Sequence, residues 1–253
     1  MSTAAAMERG RRRHPALQFA GSVFFTGFLF VWTFVYAIPF VVACALVSFP
    51  RRFGLVRPYS TSTLAVLRWT CGLTYRVEGE IPAGAHVALW KHSSSWETIA
   101  MMSVFPRQVW VLKRELTWIP VVGTGVKQMH SIAIDRKAGH SAVSQVVAQG
   151  KERIAEGSWV MIFPEGTRMP VGETRRYGVS GALLAQEAGC LLVPVAHNAG
   201  YYWPRRGLMK KPGVIRLVIG PPVSPAGRDV REVNEEIQAW IESTVKAIAP
   251  TVD

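Results

Sequence analysis

The sequence predicts an α/β fold with a largely parallel central sheet flanked by helices, preceded by an N-terminal membrane-anchoring helical hairpin. Three observations carry this expectation. Short apolar runs alternate with helical patterns from about residue 74 to residue 247. No charge interrupts the stretch from Leu17 to Pro50. Arginines flank that stretch, with Arg9, Arg11, Arg12 and Arg13 before it and Arg51 and Arg52 after it.

Taken in chain order, residues 1–16 are polar and basic. The apolar stretch that follows exceeds the ~20 residues a transmembrane helix needs, and it is too long and too aromatic for a cleaved signal sequence. Pro39 divides it, which predicts two short helices that dip into the cytoplasmic leaflet and leave both ends in the cytoplasm. A single crossing is the alternative, and positive charge at both ends sets no direction for one. The basic flanks, Arg57 included, suit anionic headgroups. A polar patch at 58–63 then separates the anchor, residues 1–62, from the body of the chain, residues 63–253.

In the body, "TYRVEGE" (74–80), "HVALW" (86–90), "QVWVLK" (108–113), "SIAID" (131–135), "SWVMIF" (158–163), "LLVPVA" (191–196) and "VIRLVIG" (214–220) read as strands. Helices are expected after Ser94, over 140–156 up to Gly157, over 178–188 up to Gly189, and over 228–247. In the last, Val230, Val233, Ile237, Trp240, Ile241 and Val245 share one face. Sites in such sheets gather at the carboxyl ends of parallel strands. His92, Lys113, Asp135–Arg136 and Pro164–Arg168 all sit just past expected strands.

The 253 residues are enough for one sizeable core, and the net charge is +12. That charge suggests an anionic partner. Nucleic acid is supported by charge alone, and the uncharged N-terminal run speaks against it. The stretch "GYYWPRRGLMKKPG" (200–213) mixes aromatic and basic residues, which next to an anchor fits a lipid interface. Cys44, Cys71 and Cys190 are too few and too scattered for a disulfide framework or a zinc site. They read as small buried hydrophobes in a reducing compartment.

Two stretches carry chemistry. In "LWKHSSSWETIA" (89–100) Ser94 and Glu97 fit a helix capping box. His92 in the turn, with Glu97 reaching back from the first helical turn, also makes an imidazole–carboxylate pair fit for general base work. A serine nucleophile lacks its G-x-S-x-G elbow here. In "FPEGTRMP" (163–170) a strand ends on Pro164, Gly166 lets backbone N–H groups approach an anion, and Arg168 can hold a phosphate bidentately. The rival view is a plain turn with a solvated arginine. Lys113 reads as a second phosphate ligand. The apolar turn Trp118-Ile119-Pro120 reads as part of an acyl-chain wall.

His92-x4-Glu97, "LKREL…IP", "IAIDR" (132–136), "FPEGTR" (163–168) and "LLVPVA" come in the order and rough spacing of the motif blocks of glycerophospholipid acyltransferases. Over about residues 65–220 the sequence resembles the bacterial 1-acyl-sn-glycerol-3-phosphate acyltransferases. One departure is the acid of the first motif, Glu97 where aspartate is usual.

The resemblance implies the glycerophospholipid acyltransferase fold, with residues 63–253 as its acyltransferase domain. It implies acyl transfer from acyl carrier protein or coenzyme A to the sn-2 hydroxyl of lysophosphatidate, giving phosphatidic acid. His92 would take the hydroxyl proton and Glu97 would orient His92. Glu165, Gly166 and Thr167 would shape the acceptor site. Arg168 and Lys113 would clamp the phosphate, with Arg136 as a third ligand. No bound cofactor or metal is implied. The expected place is the bacterial inner membrane, with the domain facing the cytoplasm and anionic lipids as partners. Another lysolipid acceptor, such as a lyso-ornithine lipid, is the near alternative, and a non-catalytic lipid-binding membrane protein the distant one.

Overall fold

A computed structural model describes residues 14–135 and 137–250. Two long helices open it, α1 (Pro15–Leu46) and α2 (Phe49–Cys71). Then follow β1 (Leu73–Glu78), β2 (Val87–Trp90), α3 (Trp96–Val104), β3 (Gln108–Lys113), a 3₁₀ turn (Arg114–Trp118) and α4 (Val122–Gln128). The chain continues through β4 (Ile132–Ile134), α5 (His140–Ala155), β5 (Trp159–Ile162), α6 (Ser180–Glu187) and β6 (Leu192–His197). It closes with α7 (Ala199–Tyr202), β7 (Gly213–Ile219) and α8 (Val230–Ala247).

The strands form one sheet in the order β1-β7-β6-β2-β5-β3-β4. All neighbours are parallel except β6 and β7. Each expected strand is present, and the sheet is largely parallel as the alternating pattern requires. β2 and β5 lie near its centre, and their residues are buried on both faces. That is why they read as unbroken apolar runs.

The strand pleat sends alternate residues to two separate cores. Ala88 and Trp90 face a layer that holds Leu64 and Leu67 of α2 and Ile99 of α3. Val87 and Leu89 face Val146 and Val147 of α5, Leu184 of α6, and Val233, Ile237 and Ile241 of α8. The result is a three-layer sandwich with the carboxyl ends of β2, β3 and β5 on one edge. In α8, Asp229 caps the helix by accepting from the N–H groups of Arg231 and Glu232.

The N-terminal hairpin differs from the expected one. Pro39 does not divide the apolar stretch, and α1 runs through it. A proline removes one backbone hydrogen bond, but contacts on both sides hold the helix here. The Tyr36 hydroxyl donates to Leu55 O (2.6 Å), and Val41 O accepts from the Gln128 amide (3.3 Å). The chain turns instead at Val47–Ser48, and Pro50 enters α2 in the first turn, where its missing N–H is harmless.

The second arm is therefore α2, and the expected boundary at 62/63 falls inside it. The arms meet closely at Gly21, where a Cβ would clash with Thr70 O. A buried hydrogen-bonded cluster ties α1 to the loop before β7. Gln18 donates to Cys71 O (3.0 Å), Ser22 accepts from the Lys210 N–H (3.0 Å), and the Lys210 ammonium lies 5.1 Å from the Trp203 ring centre.

Candidate active site

β2 ends at Trp90, and the next residues turn toward α3 with their peptide groups anchored on several sides. Lys91 N–H still donates to Val195 O of β6 (3.0 Å). His92 N–H donates to Glu165 Oε2 (2.8 Å). His92 C=O accepts from Met169 N–H (2.8 Å). The loop after β5 thus brackets His92 from both sides. The imidazole lies against the Phe163 ring, with centres 4.0 Å apart and planes 23° from parallel.

Glu97 stands in the first turn of α3 and is wholly buried. Its Oε1 meets His92 Nδ1 at 2.9 Å and also accepts the N–H groups of Ser93 (3.0 Å) and Ser94 (2.8 Å). Burial raises its carboxyl, but the two nearby imidazoles and these hydrogen bonds outweigh that and hold it below the ordinary glutamate value. An ionised Glu97 accepts only, so the proton between them sits on His92 Nδ1 and leaves the Nε2 lone pair to act as base. The capping role and the orienting role coexist in one side chain. The Ser94 hydroxyl accepts the Trp96 N–H (3.1 Å), as a cap residue does.

Glu165, expected to help shape the acceptor site, points inward. Its side chain is buried, one oxygen on His92 N–H and the other on Lys91 Nζ (2.7 Å). It acts on the site from behind, by locking the loop after β5 to the turn after β2. Burial pushes this carboxyl up, and Lys91 and His92 N–H only partly restore it. Lys91 Nζ also donates to Glu242 Oε1 of α8 (2.9 Å) and to Glu173 O (3.1 Å). Tyr177 and Thr174 complete the cluster by donating to Glu242 Oε1 (2.7 and 3.0 Å).

Gly166 takes φ +66, a left-handed conformation that suits glycine, and its N–H closes a turn onto Phe163 O (2.9 Å). Thr167 and Arg168 follow, half-buried. Arg168 immediately precedes the Met169 N–H that holds His92 O. Its Nε–H is buried, and no acceptor meets it among the described residues. Lys113 ends β3, next to β5, but extends into solvent and pairs with Glu115 (3.1 Å). Arg136 lies outside the described residues.

Trp118 is 65% exposed and is not among the residues that line the adjacent apolar cavity. That cavity, of about 190 Å³, is lined by Tyr36, Phe40, Met102, Trp110, Val126 and Met129. Its walls come from α1, α2, α3, β3 and α4.

The arrangement has an imidazole oriented by a buried carboxylate, an arginine on the loop that brackets it, and a buried scaffold behind. The acyltransferase family profile matches residues 73–198, from β1 to just past β6. A 1-acyl-sn-glycerol-3-phosphate acyltransferase of Pseudomonas aeruginosa is 38% identical over 226 residues, 87% of each chain. This chain belongs to the acyltransferase family. Within that family it is also similar to a lyso-ornithine lipid O-acyltransferase of Rhizobium meliloti, 28% identical over 56% of this chain and 47% of that one. The crystal structure of the 1-acyl-sn-glycerophosphate acyltransferase of Thermotoga maritima shares the fold with a TM-score of 0.75. It is 18% identical, over 92% of this chain and 97% of that one.

Sequence reasoning missed Lys91, Tyr177, His197 and Glu242. One signal was available for Lys91, a charge directly after the fully buried run Val87–Trp90. No comparable local signal marks the other three.

Proposed function

We propose that this acyltransferase moves a fatty acyl group from a thioester of acyl carrier protein or coenzyme A to the sn-2 hydroxyl of 1-acyl-sn-glycerol 3-phosphate, giving phosphatidic acid for phospholipid synthesis. The observation that carries this is the hydrogen-bonded His92–Glu97 couple, bracketed by the loop of Arg168, whose buried Nε–H meets no acceptor among the described residues. His92 Nε2 takes the proton as the acceptor oxygen attacks the thioester carbonyl. Glu97 stabilises the imidazolium. The tetrahedral intermediate then expels sulfur, which receives that proton as the free thiol. The acceptor oxygen is itself the nucleophile, so the step calls on no covalent enzyme intermediate, metal or bound cofactor.

Arg168 supplies the phosphate ligand, with Lys113 able to join it from the same edge of the sheet and Arg136 kept as the third candidate from the sequence motif. Gly166 and Thr167 shape the loop that presents it. The apolar cavity lined by Met102 and Trp110 suits an acyl chain. Arg168→Ala is expected to raise KM for lysophosphatidate about 10- to 100-fold, the worth of one charge-assisted hydrogen bond, with kcat changed far less. An acceptor panel tests the substrate class. Lysophosphatidate should be preferred over lyso-ornithine lipid with either thioester donor. Preference for the phosphate-free acceptor would move the assignment to the second class of relative.

The same proposal places the protein on one leaflet, at the cytoplasmic face of the bacterial inner membrane. α1 carries no charged residue, and its two sides have different neighbours. One side is tied to the rest of the protein from Gln18 to Val41. The other exposes Leu17, Phe24, Val31, Val35, Ile38, Val42 and Leu46 along one stripe. At ~1.5 Å per residue, α1 is clasped over roughly the thickness of a hydrocarbon core. A perpendicular crossing would drag that clasping surface into lipid, so α1 lies in the membrane plane. Arg51, Arg57, Arg205, Arg206 and Lys211 then meet anionic headgroups. Phe24→Asp combined with Val31→Asp should release the protein from phosphatidylglycerol-containing vesicles in a flotation assay. Undiminished flotation would contradict the in-plane placement.

A further inference from the structure

We infer that His197 is a positioning residue for acyl transfer, holding both the peptide that carries His92 and the far side of the Glu97 carboxylate. The inference deepens the proposed function, since it rests on His92 acting as the base. His197 ends β6, next to the carboxyl end of β2, and is fully buried. Its Nδ1 accepts from Ala199 N–H (3.2 Å). That contact leaves Nδ1 unprotonated and puts the ring proton on Nε2. Burial lowers the imidazole's proton affinity and favours this neutral form. Nε2–H donates to Lys91 O (2.8 Å), the carbonyl of the peptide bond whose N–H belongs to His92.

That bond completes a three-point fixation. The Lys91–His92 peptide is held at its oxygen by His197 and at its N–H by Glu165. The next carbonyl, of His92 itself, is held by Met169. Two segments, β6 and the loop after β5, fix the backbone from which the base projects; beyond the sheet bond from Lys91 N–H to Val195 O, β6 reaches it through His197.

The second half concerns Glu97. Oε1 takes all three hydrogen bonds, from His92, Ser93 and Ser94. Oε2 is buried without any hydrogen bond among the described residues. An orphan carboxylate oxygen in a dry interior is costly, and the group facing it is His197 Nε2–H, 3.8 Å away. This is an electrostatic contact rather than a second hydrogen bond. It gives the carboxylate one favoured orientation, with Oε1 toward His92. Glutamate has the reach to lie between two imidazoles. Aspartate, one methylene shorter, would withdraw by ~1.5 Å, a C–C bond length, from one or the other. The residue at position 97 and the histidine at 197 therefore form a matched pair.

A residue that merely filled the core would change stability and leave turnover per folded molecule alone. The test is steady-state acyl transfer to lysophosphatidate by detergent-purified full-length protein, with folded fraction checked by thermal unfolding. His197→Leu is expected to lower kcat about 10- to 100-fold, the scale of a misplacement of ~1 Å, with both KM values within about threefold of wild type. His197→Gln, whose amide N–H reaches the Nε2 position, is expected to restore most of the loss. Glu97→Asp is expected to cost about tenfold in the parent and little more in His197→Leu, because the two changes break one unit.

Full kcat in folded His197→Leu would overturn the inference, as would effects of Glu97→Asp and His197→Leu that simply multiply. Should His197→Leu fail to fold, the same cycle is run with His197→Asn, whose amide is too short to reach Lys91 O. Multiplying effects there overturn the inference equally. Failure of the underlying reading looks different, because His92→Ala would then keep its activity whatever the cycle shows.

Discussion

His92→Ala should lower kcat by about 10²- to 10⁴-fold, the range over which a positioned general base accelerates proton transfer. KM for lysophosphatidate should move little, since Arg168 is the proposed phosphate ligand and keeps its place. The imidazole holds its protein partner on one side only. Nδ1 faces Glu97, and no group among the described residues hydrogen-bonds Nε2. Removal of the ring leaves Oε1 of Glu97 with two N–H donors instead of three, so a stability loss of about 1–3 kcal/mol is expected as well. Activity is therefore to be scored per folded molecule, by single-turnover transfer from a radiolabelled thioester. Glu97→Gln should come close behind, since an amide still accepts from Ser93 and Ser94 N–H but no longer balances an imidazolium. If folded His92→Ala turned over at the parental rate, the proposed mechanism would be wrong.

The legible and the hidden parts of this fold divide along physical lines. Strands at the centre of a parallel sheet are buried on both faces, so "HVALW" and "SWVMIF" stand out as short apolar runs between breakers. The helix over 49–71 did not stand out. Two prolines, Gly54 and four hydroxyl residues between 60 and 63 resemble a linker. In the structure those hydroxyls are absorbed locally. Thr63 donates to Tyr59 O, Ser62 to Tyr59 O, and Ser60 reaches across to Ile99 O of α3. Back-bonding of this kind lets a polar run stay helical when a neighbouring helix receives the rest.

The site shows the same division. His92 and Glu97 are five residues apart, and a strand end, a turn and a helix start suffice to bring them together. Arg168 announces itself by ending a strand-turn motif. Lys91, Tyr177, His197 and Glu242 come from four distant segments, and only the order of strands and the packing of α8 bring them together. Glu165 was legible as a member of the site, but its hold on Lys91 and on His92 N–H was not. A carboxylate in a loop reads as outward, whereas here a buried lysine draws it in.

That lysine carries the largest expected stability effect. Lys91 is 2% exposed and bridges Glu165, whose side chain is fully buried, to Glu242. Lys91→Met keeps the volume of the stem and removes the charge, leaving Glu165 an uncompensated buried carboxylate. Breaking a buried pair from one side costs about 3–5 kcal/mol, which for a chain of this size corresponds to a fall in Tm of roughly 10 °C. Adding Glu165→Gln to that variant should recover most of the loss, because a neutral amide can still accept the His92 N–H, whereas Glu242 keeps partial access to water.

The pH dependence has a definite sign. Burial already holds Glu165 above the ordinary glutamate value in the presence of Lys91, and removing the ammonium moves it further up. A carboxyl whose folded value lies above its unfolded one binds its proton more tightly when folded. Its contribution is complete below the unfolded value and is lost as pH rises through the folded one. The deficit of Lys91→Met relative to the parent should therefore be smaller near pH 5 than near pH 8, and this pH difference should vanish in the Glu165→Gln background. Thermal unfolding of the four proteins in detergent at both pH values measures this. A deficit that is independent of pH would place the damage in packing rather than in the unpaired carboxylate.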